Sequence, residues 1–218
     1  MEYDCKVQYV IICLGDMMEI MKFVLGDYRS NCYIVYEGKK AIVIDPGCES
    51  TQVIDYIKNN QLILEGIYLT HGHVDHVGGV KQIKDLFGTT VYAPKKDQIW
   101  FMVGPYNRWG YEIPVDVWVD DMDQLHFLNQ TFTVYETPGH SEGSTVLYTD
   151  QVLFAGDTLF FQSIGRTDIP FSNSMMIYQS IKKIYQLFAD DVDVYPGHGR
   201  ATTIGHEKRF NPFVRSEK

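Results

Sequence analysis

Thr70-His71-Gly72-His73-Val74-Asp75-His76 is the stretch on which the reading of this chain turns. It sets three histidines and an aspartate within seven residues, directly after Leu62–Thr70, an almost continuous apolar run that predicts a buried strand. A lone histidine at a strand end is usually a satisfied structural group. Four such side chains crowded together would repel one another or titrate near neutral pH, and a divalent cation resolves that conflict. His71 and His73 stand two apart, so on a turning backbone they can point to one side and share an ion. Asp75 and His76 lie at the entrance of the next predicted helix, Val77–Phe87, and can reach a second position. The run by itself offers too few ligands to close two sites.

Working outward, the deficit is filled at other strand ends. His140 follows the predicted strand Thr131–Glu136, Asp157 follows Val152–Ala155, and His198 follows Val192–Tyr195. Asp45 closes Ala41–Asp45. Most of these are bracketed by glycine or proline, as in Pro138-Gly139-His140, Gly156-Asp157 and Pro196-Gly197-His198-Gly199, where close backbone approach sets a side chain at a defined angle. Five of the seven histidines fall at such places. The other two, His126 in Leu125-His126-Phe127 and His206 on a predicted last helix, read as structural and exposed. Imidazole and carboxylate donors without cysteine suit Zn²⁺, and also Fe or Mn.

The remaining pattern repeats one theme, strands and then a helix. Met21–Gly26, Asn31–Glu37 and Ala41–Asp45 precede a predicted helix over Gln52–Asn59 with Ser50 or Thr51 as its N-cap. Leu125–Leu128, Thr131–Glu136, Thr145–Thr149 and Val152–Ala155 precede one over Met175–Phe188 capped by Ser174, and Thr202–Arg209 predicts a last helix. Such an order suits two sheets packed face to face with helices outside. Gly104–Asp123, with Pro105, Trp109, Pro114 and Trp118, reads as irregular: either a loop covering a site or a surface loop with anchoring aromatics.

Composition narrows the classes. The chain has 218 residues, 45 % of them hydrophobic, and a formal net charge of −9, and its basic residues occur in runs of no more than two. A nucleic-acid partner needs a basic footprint that this balance does not provide. No apolar run approaches the roughly 18 residues that span a membrane. Cys5, Cys13, Cys32 and Cys48 form no C-x-x-C pair, which fits free thiols in a reducing cytoplasm. Residues 1–17 read as an N-terminal extension, an extra first strand or an upstream start, ahead of a single domain over 18–218.

In their order and spacing, T-H-x-H-x-D-H, the later P-G-H, the G-D and the final G-H resemble the metallo-β-lactamase superfamily, over roughly residues 18–218. Within it the chain is most similar to small glyoxalase II-like hydrolases. The resemblance also rests on Asn31-Cys32-Tyr33, Asp45-Pro46-Gly47, Ala155-Gly156-Asp157-Thr158-Leu159-Phe160, Gly165-Arg166-Thr167-Asp168 and Thr202-Thr203-Ile204-Gly205. It implies an αββα sandwich of two mixed β-sheets with helices on the outer faces. It further implies a first metal on His71, His73 and His140, a second on Asp75, His76 and His198, and Asp157 bridging both. Asp45 would orient the metal-binding loop and Arg166 would meet a substrate carboxylate.

A metal pair acidifies a bound water and clamps the reacting group. The expected chemistry is hydrolysis of a small-molecule thioester such as S-lactoylglutathione, with two ions, zinc foremost, and with Asp75 handling the proton. The competing expectations are a mononuclear iron persulfide dioxygenase on His71, His140 and Asp157, a hydrolase of another ester or lactone, and a metal-binding module without turnover.

Overall fold

The computed structural model describes residues 11–14 and 18–215. Seven strands form the first sheet in chain order: β1 (Ile11–Leu14), β2 (Met18–Leu25), β3 (Ser30–Glu37), β4 (Lys40–Ile44), β5 (Ile63–Tyr68), β6 (Val91–Pro94) and β7 (Val117–Val119). β1 to β4 pair antiparallel and β4 to β7 parallel, so the sheet is mixed. Between them lie α1 (Thr51–Asn59), α2 (Val74–Val77), α3 (Val80–Phe87) and α4 (Gln98–Phe101).

The second half supplies β8 (Gln124–Phe127), β9 (Gln130–Glu136), β10 (Thr145–Thr149), β11 (Val152–Gly156), the small hairpin β12 (Leu159–Phe160) and β13 (Ser163–Ile164), α5 (Ser174–Leu187), β14 (Asp193–Pro196), β15 (Thr202–Thr203) and α6 (Ile204–Phe210). Its six-stranded sheet runs β15-β14-β11-β10-β9-β8, with β11 and β14 parallel and the other neighbours antiparallel.

Alternation along the strands builds the layers. In β2, Phe23 packs outward with Val53, Ile57, Val80 and Ile83 of α1 and α3, while Ile20 turns inward. In β4, Val43 faces the helices, whereas Ile42 and Ile44 join Phe132, Val134, Leu147 and Phe154 between the sheets. On the far side Leu153 and Val194 pack against Ile177, Ile181 and Ile184 of α5. Strands buried on both faces read as unbroken apolar runs, which is why β3 and β5 are so hydrophobic. The αββα sandwich expected from the sequence is the observed fold.

Several local expectations shift. The helix expected over Val77–Phe87 is two pieces, because Gly78 and Gly79 press against Trp109 and the carbonyls of Gly47 and Cys48, where no side chain fits. α5 is capped by Asn173, which accepts from the Met175 and Met176 amides, instead of by Ser174. Thr202–Thr203 is a short strand, and Thr203 caps α6. β6, α4 and β7 escape the sequence reading: β6 has four residues and β7 three, too short to show a period. Of residues 1–17, only Ile11–Leu14 are described, as β1; the rest of that expectation lies outside the described residues.

The two sheets are stitched at one edge by polar bonds. The Asn31 side chain of β3 donates to the carbonyls of Pro196 and Gly199 at 2.8 and 3.0 Å, and the Tyr33 hydroxyl donates to the Pro196 carbonyl at 2.6 Å. Each such bond contributes about 0.5–1.5 kcal/mol net, so Asn31→Ala, which loses two of them while Tyr33 still serves Pro196, is expected to lower the unfolding free energy by about 1–3 kcal/mol, measured by urea denaturation.

Candidate metal centre

That stitched edge is where five strands end. Asp45 follows β4, the His71–His76 loop follows β5, His140 follows β9, Asp157 follows β11 and His198 follows β14. Open α/β sheets place ligands beyond the carboxyl ends of strands, and here both sheets contribute to one spot. Three groups of donor atoms gather, each within 4.8 Å of one another: His71, His73 and His140; Asp75, His76 and His198; and Asp45, His71 and His76.

Asp157 lies between the first two groups. Its Oδ2 is 3.3 Å from His140 Nε2 and its Oδ1 is 3.4 Å from His76 Nε2, with His198 Nε2 at 3.5 Å from Oδ2. Asp75 Oδ2 is 3.2 Å from His198 Nε2 and 3.6 Å from His76 Nε2. His73 Nδ1 faces His140 Nε2 at 2.8 Å. His71, His76 and His140 are buried, and so are His73 and Asp157; Asp75 and His198 face the opening.

Whether a cation fits is answered by atoms without partners. Among the described residues, His71 Nε2, His73 Nε2, His76 Nε2 and Asp157 Oδ1 are buried and accept or donate no hydrogen bond. A buried polar atom left unpaired is costly, and His71 Nε2, His76 Nε2 and Asp157 Oδ1, all in or between the donor groups, are what a bound cation would satisfy. The outer nitrogens are meanwhile held. His76 Nδ1 donates to Asp45 Oδ2 at 3.0 Å and His140 Nδ1 to the Arg166 carbonyl at 2.9 Å, which leaves each Nε2 lone pair aimed inward. The donor set fits one or more divalent ions.

Electrostatics divides the cluster. Burial, with neighbouring imidazoles adding to it, holds His71 well below its ordinary range and His73 at about 3. Burial also opposes charge on His76 and His198, but Asp157 and Asp75 outweigh it and raise them to about 9 and about 10. Asp157 is correspondingly held well below the usual carboxylate range, burial notwithstanding, by His76, His198 and His140. Protons or a cation balance the same carboxylates.

The sequence-predicted residues thus converge, with one exception. Asp45 adopts φ 49° and directs one oxygen to the Thr70 amide (2.8 Å) and the other to the Thr70 hydroxyl (2.6 Å) and His76. Aspartate tolerates this left-handed conformation. Arg166 does not reach the cluster through its side chain: the guanidinium clasps Asp168 at 2.7 and 2.9 Å, with its side chain 65 % exposed. Its contribution is the backbone carbonyl on His140. His126 bonds Thr131 on an exposed strand face, and His206 is half-exposed beside Gln162.

One residue escaped the sequence reading. Asp97, fully buried before α4, accepts from the Gly72 amide (2.8 Å), the Gly143 amide (2.7 Å) and the Ser141 hydroxyl (2.7 Å). It ties the glycine between His71 and His73 to the turn that carries His140. Burial pushes its carboxyl up, against those three donors. In Lys95-Lys96-Asp97 it looks like part of a solvated charge run, so nothing local betrays it.

The arrangement matches a known group. The family model of the metallo-β-lactamase superfamily covers residues 25–198. The chain belongs to the metallo-β-lactamase superfamily. Its relatives in that superfamily include hydroxyacylglutathione hydrolase GloC of Haemophilus influenzae, 34 % identical over 87 % of this chain and 95 % of that protein. Among solved structures it resembles the BLEG-1 B3 metallo-β-lactamase (37 % identity, TM-score 0.82, 90 % of this chain and 100 % of the other). It also resembles TTHA1623 in a di-iron-bound form (33 % identity, TM-score 0.78, 88 % and 99 %). Members of this superfamily are mostly metal-dependent hydrolases of small molecules. Among the described residues no helix is long and apolar enough to cross a membrane.

Partners of metal-binding side chains typically alter metal affinity 10–100-fold, so Asp97→Ala is expected to weaken metal retention by about that factor. Asp97→Asn, which keeps one acceptor, is expected to fall between. Metal quantification after dialysis against a graded chelator reads both.

Proposed function

We propose that the chain is a dinuclear metal-dependent hydrolase that cleaves a thioester of the hydroxyacylglutathione type. His71, His73 and His140 would hold one divalent ion, Asp75, His76 and His198 a second, and Asp157 would bridge them. The observation that carries this reading is the position of Asp157, whose carboxylate lies within 3.5 Å of histidines from both groups, Oδ2 near His140 and His198 and Oδ1 near His76. Zinc suits the nitrogen and oxygen donors; the di-iron-bound relative supports the count of two and makes iron the competing occupant.

Bound ions supply polarisation of a scissile carbonyl and an acidified water. The chain's own residues do the rest. Asp75, on the open side and 3.2 Å from His198, is placed to take a proton from the attacking water. His198, half-exposed beside it, leaves that side of the site open to solvent. The Asp45 and Arg166-carbonyl contacts keep His76 and His140 in fixed orientation, which a two-ion site requires. A departing thiolate has an ordinary pKa near 8.5 and needs little protonation, which suits a site where no further acid stands. For Arg166 to meet a substrate carboxylate it would exchange Asp168 for it. Cys32, buried, and Cys48, half-buried, are in no disulfide, which accords with work in a reducing cytoplasm.

A second reading, β-lactam hydrolysis, is favoured by the likeness to BLEG-1. One experiment separates these: metal quantification on protein purified without added metal, beside a panel of S-lactoylglutathione, simple esters, lactones and a β-lactam. About two ions per chain with thioester turnover is the expected result. One iron with oxygen uptake on a glutathione persulfide, or a β-lactam as the preferred substrate, would replace the proposal. Asp157→Ala is expected to lower metal content and hydrolysis together, turnover falling at least about 100-fold given what such sites contribute. Hydrolysis that survives this substitution removes the bridging role.

A further inference from the structure

The two sides of the centre differ in chemistry. Beside Asp75 a cavity of about 880 Å³ opens, whose walls mix Ser30, Gln82 and Arg108 with the apolar Leu25, Val74 and Trp109. Beside His73 stand three aromatic rings. Trp100 meets the His73 ring edge-on, 4.5 Å between centroids. Tyr106 lies 5.2 Å from Trp100, and Phe171 lies 5.8 Å from Trp100 and 5.0 Å from Tyr106. The rings come from α4, from the segment after it and from the loop that follows Arg166. Trp100 steadies the His73 ring, and Tyr106 and Phe171 touch no donor residue in the ring contacts described.

Each ring is fixed differently. Trp100 is buried and packs against Gly72, where a side chain would collide with it. Tyr106 is half-buried, in a segment pinned by Asn107, whose side chain donates to the carbonyls of Phe101 and Tyr111. Phe171 is 43 % exposed and sits at φ 61°, the one aromatic at positive φ among the described residues. A bulky residue there is strained, and such strain persists where a binding site uses it. The fold thus holds an exposed phenyl ring in a strained conformation against Trp100 and Tyr106, one ring removed from His73. An apolar group laid against it would be drawn by burial and by edge-to-face contact.

We propose that Trp100, Tyr106 and Phe171 form an acyl-binding wall, and that the preferred substrates are thioesters with an aromatic or branched apolar acyl group. The proposal rests on the hydrolase reading above. The roomy cavity beside Asp75, where Ser30, Gln82 and Arg108 stand among apolar walls, has the size and the hydrogen-bonding groups for a peptide-like thiol, which leaves the all-aromatic side for the acyl group. A small acyl group such as lactoyl leaves Phe171 uncovered.

The test uses the metal-loaded enzyme and one thiol, glutathione, acylated with acetyl, lactoyl or phenylacetyl. Equilibrium binding of two uncleavable ketone analogues, S-(2-oxopropyl)glutathione and S-(2-oxo-3-phenylpropyl)glutathione, is measured alongside. An apolar pocket discriminates by tenfold or more, so phenylacetyl is expected to exceed acetyl about 10-fold in kcat/KM, and the phenyl ketone to bind about 10-fold tighter. Phe171→Ala and Tyr106→Ala are each expected to shrink both ratios toward one. Phe171→Gly relieves the backbone strain while deleting the ring and is expected to match Phe171→Ala; a restored preference would assign the effect to strain and overturn the wall. Equal kcat/KM across the acyl groups, unmoved by the variants, also overturns the wall and leaves the hydrolase. A phenyl preference in binding without turnover of any thioester keeps the wall and retires the hydrolase.

Discussion

Buried charge that the protein cannot neutralise internally governs this structure. Seven ionisable side chains occupy the edge where two sheets meet, and five of them are buried. Isolated burial of that kind is unfavourable by far more than a domain's net stability. Asp157 between two histidine groups, and Asp75 against His198, offset part of it. Histidine Nε2 atoms without partners show that the offset is incomplete. The fold is therefore an arrangement that holds donor atoms in readiness, and the stability it forgoes there is recovered when a cation binds only the folded state.

Readiness needs rigid support, and the support is mostly polar and buried. Asp45 engages Thr70 and His76, Asp97 engages Gly72, Ser141 and Gly143, and Asn31 with Tyr33 engages the turn before His198. Each bond links a donor-bearing loop to a different element, so no loop is set by its own sequence alone. Glycines complete the frame by absence of bulk. A Cβ on Gly197 would collide with Asp157 and His76, and one on Gly72 with Trp100. Two glycines flank the cluster because the cluster leaves no volume for anything larger.

This explains what could be read from the chain and what could not. The donors were legible because metal chemistry demands particular side chains at strand ends, and local sequence records both. The layered fold was legible because α1 carries the period of its burial and β3 and β4 read as apolar runs buried on both faces. Asp97 was not, since its role exists only across sequence separations of 25 to 46 residues. β6 and β7 were not, because strands of four and three residues hold too few positions to show alternation. The split at Gly78-Gly79 was hidden for a related reason: the groups that exclude a side chain there, Trp109 and the Gly47 and Cys48 carbonyls, come from remote loops. Arg166 is a further case. The motif around it reads as a substrate contact, and the structure adds a role that reading did not contain, its carbonyl on His140, while its side chain rests on Asp168.

The separation between frame and flanks has a chemical consequence. Everything that sets the donor geometry is buried and interlocked, so changing it disturbs several elements together. The surfaces on either side are loops: the hairpin at Asp27–Arg29, the segment through Tyr106 and Trp109, and the stretch after Arg166. These loops touch the donors at few points, chiefly Trp100 on His73 and the Arg166 carbonyl on His140. A change in Phe171 or Arg108 can therefore alter which molecule is held without altering what is done to it. That division is compatible with one superfamily holding relatives named for a glutathione thioester and for a β-lactam. It locates selectivity in this chain outside the histidines, in side chains that a motif search passes over.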